Sequence, residues 1–439
     1  MTEEKKVGSA LSVLFLVVMI DMIGFGIVIP FLTYFIEDLA TIQGVTKIGL
    51  WVGLMMMIYS AAQFLFSPFW GSLSDRLGRK PIILTGLIGN TVFFTLFGIS
   101  TSLLMALVAR FCAGAFNANI AVAKAYIGDI SDKTNLAKRM GLIGASFGVG
   151  FTIGPFIGGE FSSPAEKWDL FTNTIFETYP YLLPCLIASM LSTVSFIFAI
   201  TKLPESHKPT SGAKISLNPI THVSNMIKDI RKVIRMPQLG ILVMVSVMFV
   251  YGFTIMHAVF VLFTEYDLGF SEAQNGRVFA IIGINGLIIQ GALIGPLTKR
   301  YGSYRLMMIG TLVCGAGLTL IPYVSHQYIW LSMGVILILV STGNALFQPS
   351  FSAILAQRTI EENQEMGMVM GAQESASAFA RILGPLTGGL VWDFTVLKTG
   401  MLSIATAFHL CGIMMFIAFL FQLKMKKHTS NSSNNSSMR

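Results

Sequence analysis

Along the chain, apolar and polar positions separate on the scale of whole membrane spans: long apolar runs are broken by short polar loops, with little alternation inside a run. A helix needs about 20 apolar residues to cross about 30 Å of hydrocarbon. Runs of that kind occupy residues 10–36, 48–70, 81–100, 103–129, 139–160, 180–201, 238–263, 275–298, 304–323, 328–356, 366–392 and 399–423. The pattern therefore predicts an all-α integral membrane protein with twelve transmembrane helices. A longer polar stretch splits them six and six: an N-terminal six-helix bundle over 1–201, a linker over 202–237, a C-terminal six-helix bundle over 238–423 and a tail over 424–439. Within the linker, Val223, Ile227, Ile230 and Ile234 recur at helical spacing beside Lys228, Arg231, Lys232 and Arg235, the pattern of a basic amphipathic helix on a membrane surface. The tail is rich in Ser and Asn and reads as disordered.

Composition supports this picture and narrows it. Of 439 residues, 54% are hydrophobic and 12% charged, with a mean hydropathy of +0.70, against about 25% charged in soluble proteins. So little charge does not coat a soluble globule of this size, and the loops leave no room for a soluble enzyme domain. The net charge of +8 is a topology signal, because 23 of the 30 Lys and Arg fall in loops on one side when the spans alternate. Positive charge collects on the inner side, which predicts a multi-pass protein of the cell (inner) membrane with both termini and the linker cytoplasmic. The first run starts near Val7 and passes Ile29 without a small-residue cleavage site, so a retained first span is expected. Cys112, Cys185, Cys314 and Cys411 sit in apolar runs without CxxC spacing and read as core residues. No metal cluster, phosphate-binding loop or cofactor motif is present in the sequence, and neither a nucleic-acid partner nor an oligomer is expected.

An internal repeat carries more information. The loop after the second span reads Gly71-Ser-Leu-Ser-Asp75-Arg76-Leu-Gly78-Arg79-Lys80, and the loop after the eighth reads Gly295-Pro-Leu-Thr-Lys299-Arg300-Tyr-Gly302-Ser-Tyr-Arg305. Span 5 ends in Gly154-Pro155-Phe-Ile-Gly158-Gly159 and span 11 in Gly384-Pro385-Leu-Thr-Gly388-Gly389. The two separations, 224 and 230 residues, differ by a small insertion. Two pseudo-symmetric six-helix halves with a central cavity between them are expected.

These residues resemble the signatures of the major facilitator superfamily. The Gly71–Lys80 loop matches its cytoplasmic loop motif, and span 5, with Gly144, Gly148, Gly150, Gly154, Pro155, Gly158 and Gly159, is similar to the antiporter motif of twelve-span drug:proton antiporters. Span 1, with Asp21 to Pro30, and span 4, with Arg110 to Gly114 leading to Asp129, complete a pattern similar to tetracycline-efflux and multidrug proteins. The resemblance implies the major facilitator fold and export of small amphipathic compounds in exchange for protons. The same signatures serve importers of metabolites, and a lipid flippase on this scaffold is a further alternative. The resemblance also implies a conformational latch built from Gly71, Asp75, Arg76, Gly78, Arg79, Lys80 and Asp129. In the second copy Lys299 replaces Asp75, so a latch using this acid exists on one half only. Residues 81–100 lack the acid that tetracycline exporters often carry, with Asn90 in its stead the most polar side chain.

Ionisable residues at membrane depth are costly and mark functional cavities. Asp21 lies about ten residues, or roughly 15 Å, into span 1. A carboxyl out of water favours its neutral form, the property a proton-coupling group requires. Arg110 matches the arginine that related antiporters use to tune a nearby acid, so Asp21 with Arg110 is the expected coupling pair; a permanent ion pair between them is the structural alternative. Glu374 is a second candidate proton site, and its spacing of seven from Arg381 is expected to be too long for an easy direct bond. Asn117, Asn119, His257, Asn285, Gln290, Asn344, Gln348, Gln373 and Arg381 are candidate cavity residues, each also suited to holding helices together.

Overall fold

A computed structural model describes residues 3–117, 119–131, 135–206, 219–398 and 402–436. The described residues form helices, short helical turns and loops, with no strand among them. In chain order the helices are α1 (Glu3–Val28), α2 (Leu32–Gln43), α3 (Ile48–Leu77), α4 (Arg79–Gly98), α5 (Leu103–Phe116), α6 (Asn119–Asp129), α7 (Leu136–Glu160), the short α8 (Pro164–Lys167) and α9 (Ile175–Thr178), and α10 (Leu182–Lys202). After these come α11 (Pro219–Ile234), α12 (Pro237–Leu268), α13 (Glu272–Ile288), α14 (Ile294–Tyr301), α15 (Ser303–Leu320), α16 (Ile329–Glu361), α17 (Met366–Thr395) and α18 (Thr406–Ser436). Among the described residues, ten stretches are long and apolar enough to cross a membrane. The other two expected spans, 139–160 and 366–392, coincide with α7 and α17, helices of 25 and 30 residues.

Several elements depart from the pattern read in the sequence. The fourth span is two helices: α5 ends at Phe116 and α6 starts at Asn119. The eighth contains a π turn at Ile289–Leu293 between α13 and α14, a feature common at functional sites. The tail read as disordered continues α18 as helix to Ser436, since extending an existing helix is far easier than nucleating one. In the linker, α11 carries Lys228, Arg231 and Lys232 on exposed positions, as the amphipathic pattern requires.

By contacts the chain divides into two compact units, Met1–His222 with Thr264–Ile284, and Val223–Phe263 with Asn285–Arg439. In the first, an apolar core joins Val13, Leu14 and Val17 of α1 to Ile83 and Leu87 of α4, Val122 and Tyr126 of α6 and Ala199 of α10. The internal repeat is visible in the backbone of each unit. Gly78 and Gly302 adopt the same left-handed-side conformation, φ 100° and ψ 161° against φ 79° and ψ 150°. Their N–H groups close the preceding helix on Ser74 O at 3.0 Å and Thr298 O at 2.9 Å. Glycine adopts that conformation without the Cβ clash of other residues.

The repeated glycine runs also pack alike. Gly150, Gly154 and Gly158, one per turn along α7, lie against Met22, Ile23 and Ile27 of α1, and Gly384 and Gly388 of α17 lie against Thr254 and Ile255 of α12. A Cβ at Gly158 would meet the Ile27 carbonyl, which is backbone and does not rotate away. Gly158→Ala should therefore destabilise the protein by about 1–3 kcal/mol, the usual result of overpacking. Gly144→Ala, with nothing within 4 Å, should be neutral or slightly stabilising. Thermal unfolding in detergent measures both, and equal melting temperatures would refute the packing argument.

Candidate functional site

The best-defined polar site lies inside the first unit. Asp21 of α1 is 1% exposed and receives two side-chain amides, Asn90 Nδ2 of α4 at 2.7 Å and Asn119 Nδ2 of α6 at 3.2 Å. Both donate to the same atom, Oδ1, and Oδ2 has no hydrogen-bond partner. Elements position these groups through small residues: a Cβ at Gly86 of α4 would strike the Asn119 amide, and one at Gly24 would strike the Phe94 ring at 2.7 Å. A buried carboxyl with one bonded and one open oxygen is suited to carrying a proton on the open one, because an unsatisfied buried polar atom is unfavourable and a change of protonation alters how well it is satisfied.

Arg110 is not ion-paired with Asp21. Its guanidinium, 3% exposed, lies over the Tyr59 ring at 4.4 Å with the Phe97 ring at 5.7 Å. The structural alternative, a permanent ion pair, is thus replaced by a cation–π contact with Tyr59. The Tyr59 hydroxyl in turn accepts from Asn117 Nδ2 at 2.5 Å. Tyr59, Gln63 and Trp70 of α3 all attend the break in the fourth span: Gln63 Nε2 donates to Asn117 O at 3.3 Å and Trp70 Nε1 to Ala115 O at 2.6 Å. Side-chain donors so replace the backbone bonds that the interruption of a helix at membrane depth would leave unmade. None of Tyr59, Gln63, Trp70 and Asn90 stood out as a site residue in the sequence; the Asn at 117 and 119 inside one apolar span was the signal of a break.

At the basic end of the same unit, the loop motif forms a network within the bundle. Arg79, its side chain 9% exposed, bonds Asp75 Oδ1 at 2.6 Å, Ser74 Oγ at 2.6 Å and Asp129 Oδ2 at 2.9 Å. Glu205, three residues beyond the end of α10, accepts from the N–H of Arg79 at 2.7 Å and of Lys80 at 3.1 Å. It thereby caps α4 at its positive N-terminus. The Lys80 ammonium donates to Ile200 O at 2.8 Å. Gly71 is open on its side, whereas a Cβ at Gly78 would strike the Glu205 carboxylate. Arg76 is half-buried.

The far end of α7 meets the Thr264–Ile284 segment. Gly159 packs on Glu272 and Gly276, Pro155 O lies against Gly276, and Arg277 pairs with Glu160 at 2.5 Å. Tyr34 OH donates to Phe270 O at 2.5 Å and accepts from Asn275 Nδ2 at 2.9 Å. Lys167 caps the end of α7 through Gly159 O, Glu160 O and Ser162 O at 3.1, 3.1 and 2.6 Å. Burial pulls the Lys167 ammonium below its usual range, against the opposing pull of Glu272 and Glu160. Gly148 contributes its carbonyl to Thr152 at 2.8 Å.

In the second unit, Glu374 Oε1 and Arg381 Nη2 are bonded directly at 2.7 Å. The expectation that seven residues is too great a spacing for a direct bond is corrected: about 10 Å of helical rise is bridged by two long side chains on one face, the Arg381 side chain reaching back toward the helix N-terminus. Gln373 Nε2 joins Ser246 Oγ at 2.7 Å and Ser377 Oγ at 2.9 Å, tying α12 to α17. Asn285 bonds Ser341 and Thr342, both at 3.1 Å. His257 meets the Phe253 ring at 4.8 Å. Asn344 keeps a buried Oδ1 without a partner. Gln290, in the π turn, and Gln348 are exposed.

The profile of the Major Facilitator Superfamily matches residues 14–385 and again 267–438. The chain belongs to the major facilitator superfamily. It is similar to a probable peptide/nitrate transporter of Arabidopsis thaliana, 30% identical, with 88% of this chain and 83% of that one covered. It is likewise similar to the class C tetracycline resistance protein of Escherichia coli, 27% identical over 87% and 89% of the two chains. The fold matches the crystal structure of the human organic anion transporter MFSD10 (TETRAN) with a TM-score of 0.67, at 21% identity and covering 96% and 100% of the chains. As a member of this superfamily the protein is a multi-pass membrane transporter of a small-molecule substrate embedded in the lipid bilayer, and not an enzyme.

Proposed function

We propose that this superfamily member exports small amphipathic, drug-like compounds in exchange for protons, by alternating access, as a monomer with both termini in the cytoplasm. The observation that carries the reading is the Asp21 carboxyl, buried with Oδ1 on two amides and Oδ2 open. Asp21 is the group that loads and releases the proton, and Arg110, held on the Tyr59 ring, is the cation that tunes it. The half-exposed Glu374–Arg381 pair is the second charged site, offering a carboxylate to a cationic substrate. Asp75, 52% exposed and already bonded to Arg79, serves as the latch at the cytoplasmic end. The similarity to a tetracycline resistance protein supports export, and the 23 basic residues of the inner loops support the orientation.

The test is reconstitution into liposomes with an imposed pH difference and a panel comprising ethidium, a tetracycline and a nucleoside. An antiporter accumulates its substrate in an acid lumen as protons leave, and a protonophore collapses the gradient. Accumulation only with acid outside would replace export by proton-linked import, and no pH-dependent flux of any compound would overturn proton coupling.

A further inference from the structure

We propose that α6 is a rigid link that passes the protonation state of Asp21 to the Arg79–Asp129 ion pair, with Asn119 as the positioning residue at its sensing end. The inference rests on Asp21 as the coupling group and adds how its state reaches the basic end of the bundle.

The two ends of α6 are its first and last residues. Asn119 donates to Asp21 Oδ1 at 3.2 Å, and Asp129 accepts from Arg79 Nε at 2.9 Å and from Ser206 Oγ at 3.1 Å. Eleven residues separate a proton site from an ion pair by roughly 16 Å of helix. Between the ends, Val122, Ala123, Tyr126 and Ile127 are buried in the core, and the Tyr126 hydroxyl donates to Pro204 O at 2.6 Å. At the break, the α5 side is held by α3 through Trp70 and Gln63, so the end of α5 has anchors of its own. A short rod pinned at both ends and interrupted from its neighbour is the arrangement a hinge requires.

Chemistry at the sensing end supplies two states. With Asp21 charged, both amides donate to it. With a proton on Oδ2, the new O–H needs an acceptor, and Asn119 Oδ1 is a buried acceptor without a partner at the same place. Swinging the Asn119 amide toward the Oδ2 side lets its Oδ1 accept that O–H, at the expense of the Nδ2 bond to Asp21 Oδ1, and removes the charge that held the end of α6. Asn90 stays as the donor to Oδ1 from α4. The titratable and charged groups facing Asp21 are Tyr59 of α3 and, beyond it, Arg110 of α5; both stay on the fixed side of the break.

The experiment uses the full chain in lipid nanodiscs, with two readouts across a pH series: the infrared band of a buried protonated carboxyl, and hydrogen exchange of the amides around Asp129 and Arg79. In the wild type, the band should titrate and exchange near Asp129 should change about threefold or more between the two states. Asp21→Asn should remove the band and hold one exchange pattern at every pH. Asn119→Ala should leave the band titrating and flatten the exchange response, and Asn119→Ser, whose hydroxyl both donates and accepts, should restore part of it. If Asn119→Ala loses protection throughout the protein, Asn119→Val replaces it, a titrating band with a flattened response supporting the link and an unchanged response overturning it. A titrating band with an unchanged response in Asn119→Ala also overturns the link and leaves Asp21 as the proton carrier. Absence of the band in the wild type would remove that assignment itself, and the link with it.

Discussion

Asp21→Asn should abolish proton-driven accumulation while leaving substrate exchange at equal pH intact. Asparagine keeps the shape and an acceptor for Asn90 Nδ2, which reaches Asp21 Oδ1 at 2.7 Å, and mimics a carboxyl that never releases its proton. The fold should lose less than about 1 kcal/mol, since the site loses neither volume nor its acceptor. Asp21→Leu is the informative contrast: it strands the Asn90 and Asn119 amides, which donate only to Asp21 among the described residues, and should cost about 1–3 kcal/mol per stranded group. Uphill accumulation against an imposed pH difference, counterflow at equal pH and thermal unfolding separate the three effects. Full proton-driven accumulation by Asp21→Asn would assign coupling to another group.

The second large effect is expected at Arg79. Its guanidinium holds Asp75, Asp129 and Ser74 at once, at 2.6 to 2.9 Å, with 9% of the side chain exposed. Removing it leaves Asp129, 23% exposed, bonded to Ser206, and leaves Asp75 in water at 52% exposure. Screening of the two partly exposed acids lowers the penalty, so Arg79→Ala should cost about 2–3 kcal/mol rather than the larger loss of a fully buried pair. Arg79→Lys should recover little, because an ammonium lacks the planar fork that reaches two acids and a hydroxyl together. A double-mutant cycle of Arg79→Ala with Asp129→Asn should give a coupling of about 1–2 kcal/mol. Additive losses would mean that the pair contributes nothing beyond its separate residues.

Much of the fold was legible because hydropathy responds to the bilayer, and the repeat because two loops share G-x-L-[ST]-x-R-x-G. The shared turn at Gly78 and Gly302 follows from local chemistry, which sequence encodes directly. What sequence hid depends on distant juxtaposition. Glu205 caps α4 from 126 residues away, and Asn90 and Asn119 reach Asp21 across 69 and 98 residues; no periodicity marks such partners. A permanent Asp21–Arg110 ion pair was the structural alternative to a coupling pair, yet the planar cation lies on the Tyr59 face instead. The direct Glu374–Arg381 bond was underestimated by measuring backbone rise and neglecting the reach of the side chains.

For the proton exchange proposed above, with Asp21 as its one carrier, the open oxygen of that carboxyl also sets a thermodynamic ceiling. A single carboxyl carries a single proton per turnover, and a pH difference of one unit is worth about 1.4 kcal/mol, or about a tenfold concentration ratio. Exchanged for a monovalent cationic drug, that proton moves no net charge, so the membrane potential adds nothing and the ratio stops there. Exchanged for a neutral compound, the same proton moves one charge and gains about 2.3 kcal/mol per 100 mV, so under the proposed exchange uncharged substrates are the ones cleared most steeply.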